Sequence, residues 1–487
     1  MSDRNIIRAD GSDRTFHRLK VLFVLLLPLS MSLMAMSAVN VALPTIEVGL
    51  GATPGDVQWI LSGYALALGV SLIPAGRAGD VLGRGTWFVV GLVIFVVASL
   101  VCGLSPTPFF LNVARIAQGI GAGIFSPQVT GMIQQYFTGQ GRAKAFALFG
   151  LVISASVAVG PVLTGAIIQA LGPQDGWRWA FFIYTPVGLL AVILALAWFP
   201  FETERREARE RRAGRGRAWY AFPDLDPFGT FLLTASILAL MYPFMAHAAW
   251  AWWLLPLSPL LLWTWVRWER RYAARGRAPM VDMMLFGFRS FRNGMLVSGV
   301  MFLGIASTFA VLALFLQSGL HVPAVAVGLV GLPNAVLSAY ASWWSVKYVM
   351  SHGRRLIFWM LLLMALGIVL SIGVALLIPL GMPWWLLGAT LSLNGFAMGA
   401  IGSANQTLSL QDVPLQHGGT ASGIKQTVER VGAALGNAMI VGVFFALVPT
   451  GWTPAFAGAY LAIMGFILLA AMIATFDERQ HREPVGV

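Results

Sequence analysis

Charge is what this sequence has least of. Only 11% of its 487 residues are Asp, Glu, Lys or Arg, while 58% are hydrophobic and the mean hydropathy is +0.76. Ordinary globular chains carry about 25% charged residues, so a water-exposed surface is excluded and the chain reads as a polytopic membrane protein. A single cysteine, Cys102, excludes an intrachain disulfide framework and a cysteine-based metal site. The six histidines (His17, His247, His321, His352, His417 and His481) are scattered near helix ends or in tails. With no phosphate-cradling loop, no carboxylate pair on one helix and no His/Cys cluster, enzymatic function is not expected, and neither is a metal or a cofactor. The opening stretch Met1–Lys20 is polar and charged. It does not read as a cleavable signal peptide, and the first apolar segment is expected to remain as a membrane helix.

What is present is a set of long charge-free gaps. A spanning helix needs roughly 20 apolar residues. Residues 21–46, 57–76, 85–114, 116–141, 145–174 and 179–201 accommodate six helices, with an outer turn at Ser105-Pro106-Thr107-Pro108. The gaps 227–266, 293–346, 356–411 and 431–476 each fit two, broken near His247-Ala248-Ala249, His321-Val322-Pro323, Pro379-Leu380-Gly381 and Pro449-Thr450-Gly451. The expected fold class is therefore all-α, with 14 transmembrane helices arranged 6+2+6.

The formal charge of +12 would otherwise suggest nucleic acid, but its placement reports topology. Basic residues crowd the N-terminus and the loops after even-numbered helices: Arg77 and Arg84, Arg142 and Lys144, seven arginines from Arg205 to Arg217, seven more from Arg267 to Arg292, then Lys347, Arg354 and Arg355. The opposite loops hold only Arg178. Both termini are thus expected to be cytoplasmic. The segments 202–226 and 267–292 bracket helices 7 and 8, which suggests residues 1–201 as one six-helix half, 202–292 as linkers with an inserted hairpin, and 293–487 as the second half. The Glu/Arg-rich stretch Glu202–Arg217 reads as a surface helix or solvated linker, or as a segment drawn to lipid headgroups.

The loop after helix 2 runs Gly76-Arg77-Ala78-Gly79-Asp80-Val81-Leu82-Gly83-Arg84-Gly85. Its glycines permit a tight turn and close helix approach. Asp80 is either part of an ordinary charged turn or a cap on the N-terminus of a neighbouring helix, where the dipole favours an anion. The loop resembles the signature loop of the major facilitator superfamily, a Gly-x-x-x-Asp-x-x-Gly-Arg pattern between helices 2 and 3. Other stretches resemble that family in order. Val39-Asn40-Val41-Ala42-Leu43-Pro44 ends helix 1, and Arg115-Ile116-Ala117-Gln118-Gly119-Ile120-Gly121 lies in helix 4. Gly160-Pro161-Val162-Leu163-Thr164-Gly165 matches the helix 5 antiporter motif, with Thr164 in place of a usual glycine. Trp177-Arg178-Trp179, Pro186-Val187-Gly188 and His417-Gly418-Gly419-Thr420-Ala421-Ser422-Gly423 follow. The resemblance covers nearly the whole chain and points to the fourteen-helix drug:proton antiporter branch. It implies a major facilitator fold, alternating access, and a proton gradient as the energy source.

Residue by residue, the resemblance assigns gating to Gly76, Asp80, Gly83 and Arg84, together with Lys425, Glu429 and Arg430 on helix 13. Lys425 and Glu429 are also i,i+4 neighbours that can pair simply as structure. Arg115, Gln118, Gly119 and Ala122 share a helical face. An arginine in a membrane helix faces a cavity or partner, or snorkels to the surface from a helix end; in the family this position is implicated in proton coupling. Gly150, Ser154, Ala158, Pro161 and Gly165 form a small-residue stripe that suits close packing, and the resemblance makes Gly160, Pro161 and Gly165 a flexible element that controls leak.

A second scarcity then matters. Among the twenty acidic residues none sits at mid-membrane; Glu429 alone lies within a helix, near its inner edge. The antiporters the chain resembles carry an aspartate five positions before the residue matching Asn40, and here that position is Ala35. Three explanations stand open: transport is uncoupled or coupled through another group, outer acids such as Glu47 or Asp56 serve, or the acid has been removed to trap one state. Lack of buried acids also argues against a multiply charged cation as substrate. Candidate pathway residues are Asn40, Gln58, Trp59, Tyr64, Gln118, Gln128, Gln317, Asn334, Tyr340, Asn394, Asn405 and Gln406, each alternatively a satisfied interhelical hydrogen bond or an interfacial anchor. The expected function is export of amphipathic drugs or metabolites across a bacterial cytoplasmic membrane by a multi-pass monomer, with no nucleic-acid partner. Export of a lipid or lipid-like molecule and a non-transporting receptor or scaffold are the alternatives.

Overall fold

Apolar runs bounded by glycine, proline and capping residues fold as helices along the chain. The computed structural model describes residues 6–8, 15–172, 174–201, 225–246 and 249–482. One small departure from an all-helical chain is an antiparallel pair of β1 (Ile6–Arg8) and β2 (Thr15–His17), with Ile7 opposite Phe16. Seven helices follow: α1 (Arg18–Leu50), α2 (Pro54–Leu82), α3 (Arg84–Leu104), α4 (Pro108–Tyr136), α5 (Gly139–Leu171), α6 (Gly176–Phe182) and α7 (Tyr184–Trp198). Then come α8 (Pro227–Ala246), α9 (Leu257–Ala274), α10 (Arg289–Ile305), α11 (Thr308–Leu314), α12 (Ala324–Val330), α13 (Leu332–Trp344), α14 (Val346–Leu377), α15 (Leu386–Ser409), α16 (Gly418–Leu447) and α17 (Trp452–Arg482).

Among the described residues, twelve helical stretches are long and apolar enough to cross a membrane. The other two segments of the 6+2+6 reading are helical but do not meet that standard. One is α9, whose second half is dense in charge; the other is residues 324–344, interrupted at Gly331 between α12 and α13. The stretch Glu202–Arg217 and the break at His247-Ala248 fall outside the described residues.

Local chemistry explains several boundaries. Thr53 and Asp56 form a reciprocal capping box at the start of α2: the Thr53 N–H and Oγ1 donate to Asp56 Oδ2 at 3.0 and 2.7 Å. Asp56, considered above as an outer acid, is thereby engaged in the cap, whereas Glu47 is exposed. Arg178 donates to the Gly103 and Ser105 carbonyls at 2.9 Å each, satisfying the last turn of α3, and lies 4.4 Å over the buried Trp177 ring. The helix from Arg289 is broken at Ser307, and the Tyr460 hydroxyl donates to the Thr308 carbonyl there at 3.1 Å. A π turn at Phe315–Gly319 follows.

Packing divides the chain into two compact units. The first comprises the described residues through Thr138, Val159–Leu285 and Val413–Thr427. Its core near Arg115 is built from Val39, Ala42, Ile60, Leu111, Trp177 and Phe181. The hairpin α8–α9 belongs to this unit and packs on α2, with the Trp59 and Tyr242 rings 5.9 Å apart. The second comprises Gly139–Ala158, Phe286–Asp412 and the described residues from Val428. Its core gathers Leu361, Met364, Ile368 and Leu391, with Phe456 stacked on Tyr460 at 4.0 Å. The reason the first half of α5 joins the second unit is small-residue packing: Gly150 abuts Ser342, and the Ser154 and Ser338 hydroxyls are 2.7 Å apart. Asp477 lies near the end of α17 and is buried in an ion pair with Arg354 while accepting from Asn293 Nδ2 at 2.8 Å.

Within the second unit α13 and α15 approach so closely that a Cβ on Gly399 would overlap the Ser338 carbonyl oxygen. Overpacking of this kind costs about 1–3 kcal/mol. Gly399→Ala is expected to lower the thermal unfolding midpoint of the purified protein. Gly465→Ala, where the new methyl meets open space, is expected to leave it unchanged or slightly raised.

Candidate functional site

The first unit holds two clusters of buried charge, one at each end of its helices α2 and α4. The first cluster grows from the turn between α2 and α3. Gly83 adopts φ 109°, a conformation that glycine alone enters cheaply, and this turns Arg84 back over the last turn of α2. Arg84 donates to Asp80 Oδ1 through Nε at 3.0 Å and Nη2 at 2.7 Å, making a buried ion pair. Its Nη1 reaches α4, donating to the Gly131 carbonyl at 2.9 Å and Gln135 Oε1 at 3.0 Å, and Nη2 also donates to the Leu415 carbonyl.

Asp80 in turn holds the start of α16. Oδ1 accepts from the Gly419 N–H at 2.9 Å, and Oδ2 accepts from the Thr420 N–H at 2.7 Å and its hydroxyl at 2.8 Å. A carboxylate on two free N–H groups of a helix N-terminus is favoured by both hydrogen bonding and the helix dipole. The approach needs glycine: a Cβ on Gly76 would overlap the Gly419 carbonyl, and one on Gly419 would come within 2.8 Å of Asp80 Oδ1. Further contacts to the 413–427 segment come from α4. Gln134 Nε2 donates to the Val413 carbonyl at 3.0 Å, Ser126 Oγ meets Gln426 Oε1 at 2.7 Å, and Thr130 and Ser422 share a short hydroxyl contact. Of the helix 13 charges singled out in the sequence, Lys425 is buried in this segment, while Glu429 and Arg430 are half-buried beyond Thr427 in the second unit. Thr420, Gln134 and Gln135 were not among the sequence candidates. The signal for the two glutamines was available in the short polar spacing along α4 from Gln128 through Gly131 to Gln134 and Gln135.

The second cluster surrounds Arg115, which is 1% exposed. It does not snorkel; the guanidinium is enclosed. Nε donates to the Ile60 carbonyl at 3.0 Å, and Nη1 donates to Gln118 Oε1 at 2.6 Å and, weakly, to the Ala35 carbonyl at 3.5 Å. The Tyr64 ring lies 4.3 Å from the guanidinium carbon and Phe181 5.9 Å, so aromatic faces carry part of the compensation. Gln118 Nε2 passes the chain on to Ser99 Oγ at 2.7 Å, and Ser99 donates to the Phe95 carbonyl at 2.7 Å. A buried cation is normally paired with an anion. Here the hydrogen-bonding partners are all neutral, and Ala35 stands buried where the resembled antiporters carry their acid.

The remaining candidates separate by environment. Tyr64 donates to the Ser32 carbonyl at 3.0 Å, Gln128 to Ala75 at 2.7 Å, Asn334 to Leu391 at 2.7 Å, and Asn405 to Gly294 at 2.9 Å and Ser298 at 2.7 Å; these are interhelical hydrogen bonds. Trp59 faces Tyr242 of α8. Gln406 is buried and Gln58 half-buried. Asn394 is buried in α15 with neither amide atom hydrogen-bonded. Asn40, Gln317 and Tyr340 are exposed, Gln317 within the π turn. In α5, Gly160 lets α1 approach, since a Cβ would overlap Ser37 Oγ, and Pro161 follows it within the helix; Gly165 has only Val41 nearby, at 3.9 Å.

The chain is similar to known proteins in both sequence and fold. The sequence profile of the Major Facilitator Superfamily matches residues 25–437. The probable actinorhodin transporter of Streptomyces coelicolor is 30% identical over 423 residues, covering 86% of this chain and 71% of that protein. The puromycin resistance protein pur8 of Streptomyces alboniger is 30% identical over 460 residues, 93% of this chain and 84% of that one. In fold, the chain is similar to the human organic anion transporter MFSD10, with a TM-score of 0.65 at 15% identity over 94% of this chain and 99% of that one. With the profile spanning most of the sequence, this multi-pass membrane chain belongs to the Major Facilitator Superfamily of transporters.

Proposed function

We propose that the chain exports small amphipathic molecules across a bacterial cytoplasmic membrane by alternating access, through fourteen membrane-crossing segments with both termini in the cytoplasm. The observation that carries this reading is the grip of Asp80 on the N-terminus of α16. A carboxylate on two backbone N–H groups, braced by Arg84, which itself reaches across to α4, is a bond that can be made and broken as a unit, which is what a gate requires. Gly76, Gly83 and Gly419 keep the elements close enough for it to form, and Lys425, Glu429 and Arg430 are assigned to the same gate. Support for the substrate class comes from relatives whose names concern actinorhodin transport and puromycin resistance. The two segments that fall short of a simple span, α9 and residues 324–344, are counted as crossing because basic residues flank them in the alternating pattern of the others. The working unit is taken as a monomer in contact with membrane lipid.

Energy coupling is assigned to the proton gradient of the family, but with a specific defect. A guanidinium does not release its proton in proteins, so Arg115 can only respond to a titrating neighbour, and position 35 supplies none. Coupling at this site is therefore proposed to be weak or absent, with Arg115 and Gln118 retained as the polar frame around it.

Two measurements in proteoliposomes test this reading, with puromycin and ethidium as probes. Breaking a buried ion pair by removing one partner costs about 3–5 kcal/mol, so Asp80→Asn is expected to cut flux at least tenfold; unchanged flux would remove the gate from the account. Ala35→Asp places a carboxylate beside Arg115 and is expected to make flux respond to an imposed pH gradient more strongly than in the parent. If both proteins ignore the gradient, coupling through this site is wrong. If neither moves any probe in either direction, the receptor alternative is favoured over transport.

A further inference from the structure

Away from both clusters, the α8–α9 hairpin contains a pair of buried acids that the transport reading does not use. Asp226 precedes α8 with φ 45° and Glu269 lies in the last turns of α9, beyond the apolar stretch that ends at Val266. They are 1% and 0% exposed. The two carboxylates meet over Gly229, where a Cβ would overlap Asp226 Oδ2 and come within 2.8 Å of Glu269 Oε1. This places them within the roughly 4–6 Å over which one charge strongly alters the titration of another.

Their compensation is unequal. Asp226 caps α8 by accepting from the Gly229 N–H at 2.9 Å, and it accepts from Trp268 Nε1 at 2.9 Å (Oδ1) and 3.1 Å (Oδ2). That is a site built for an anion. Neither oxygen of Glu269 has a hydrogen-bond partner, and the Trp265 indole N–H, buried one turn earlier on the same face, has none either. The Met280 and Val281 backbone and the Trp265 indole lie near enough to favour the anion, but not in hydrogen-bonding geometry. Burial first, and the Asp226 charge second, push the Glu269 carboxyl up from an ordinary 4.5 to about 7.

Other titratable groups among the described residues of this region are as follows. Tyr272 is one turn on along α9, with the Arg277 guanidinium 5.4 Å from its ring, and Arg270 and Arg271 adjoin Glu269 in sequence. From the following segment comes Asp282, whose Oδ1 accepts from the Met284 N–H at 2.9 Å. Helix α2, which packs on α8, carries Arg77 and Asp80 in its last turns, and neither is among the groups acting on Glu269.

That following segment is what the acid sits beneath. Residues 278–285 fold back onto the hairpin with Met280, Val281 and Leu285 buried, and Thr230 Oγ1 lies 3.0 Å from Met280 Sδ. The segment leads directly into α10. We propose that Glu269 is a proton-binding site, whose carboxyl group takes up one proton to close the 278–285 strap over the α8–α9 hairpin and releases it when the strap opens. Glu269, the acid of the pair without hydrogen-bond donors, carries the proton. This does not rest on the transport reading.

The sign follows from the raised value. The closed strap holds the proton more tightly than the open one, so closure is fully favoured below pH 4.5, weakens as pH rises toward 7, and levels off above it. Hydrogen exchange of backbone amides at residues 280–285, measured on the full chain in lipid nanodiscs and corrected for intrinsic exchange, reads this directly. Opening is expected to become up to about tenfold more frequent per pH unit between pH 5 and 7 and to plateau above. Glu269→Gln, which mimics the protonated group, is expected to give flat, closed-like protection. Asp226→Asn is expected to bring the plateau in at a lower pH. Wild-type protection that does not vary with pH would overturn the proposal, as would Glu269→Gln following the wild-type curve.

Discussion

A charge removed from water must be compensated where it lands, and the protein's buried polar structure follows from that constraint. The penalty for an ion in a low-dielectric interior amounts to several kcal/mol even after relaxation. Asp80 with Arg84, Arg115, and Glu269 meet it in three ways. Asp80 and Arg84 neutralise one another and use the leftover donors and acceptors to tie α2, α4 and the start of α16 together. Arg115 has no anion and is spread over carbonyls, an amide and aromatic faces. Glu269 has neither, and its remaining recourse is a proton.

These three solutions have different consequences. A paired and capped carboxylate is strong yet discrete, so it suits an element that must be held and then released. A cation dispersed over fixed neutral dipoles is held in place by several elements at once, so it fixes their spacing. An acid buried without donors changes its charge more readily than its surroundings change their packing. Buried charges of these kinds are hypotheses of function by default in a membrane chain, and their local partners say which function each can serve.

Much of this was legible in the sequence, for physical reasons. Helix positions follow from charge-free gaps because the membrane tolerates little else. Asp80 stood out as an acid between two arginines at a glycine-rich turn, which left an ordinary charged turn and a helix cap both open; its contacts to Gly419 and Thr420 decide for the cap. The internal breaks were less visible. The π turn at Phe315–Gly319, the interruption at Gly331 and the non-helical His352 inside α14 are set by neighbouring packing rather than by local propensity. Arg115 was ambiguous because its place near a helix end allows snorkelling, and only the enclosing Tyr64, Ile60 and Phe181 settle it. Glu269 stands among arginines in the sequence, and its burial depends on the strap of residues 278–285 folding back, which no spacing rule reveals.

The central claim is that Asp80 and Arg84 act as one unit in holding the start of α16. The most direct measurement is a double-mutant cycle with Asp80→Asn, Arg84→Gln and the combined variant, read as unfolding free energy in detergent. Groups in one hydrogen-bonded network show interaction energies of about 0.5–3 kcal/mol. The account predicts that the double variant loses at least about 1 kcal/mol less than the two single losses added together. Losses that simply add, within about 0.3–0.5 kcal/mol, would contradict it.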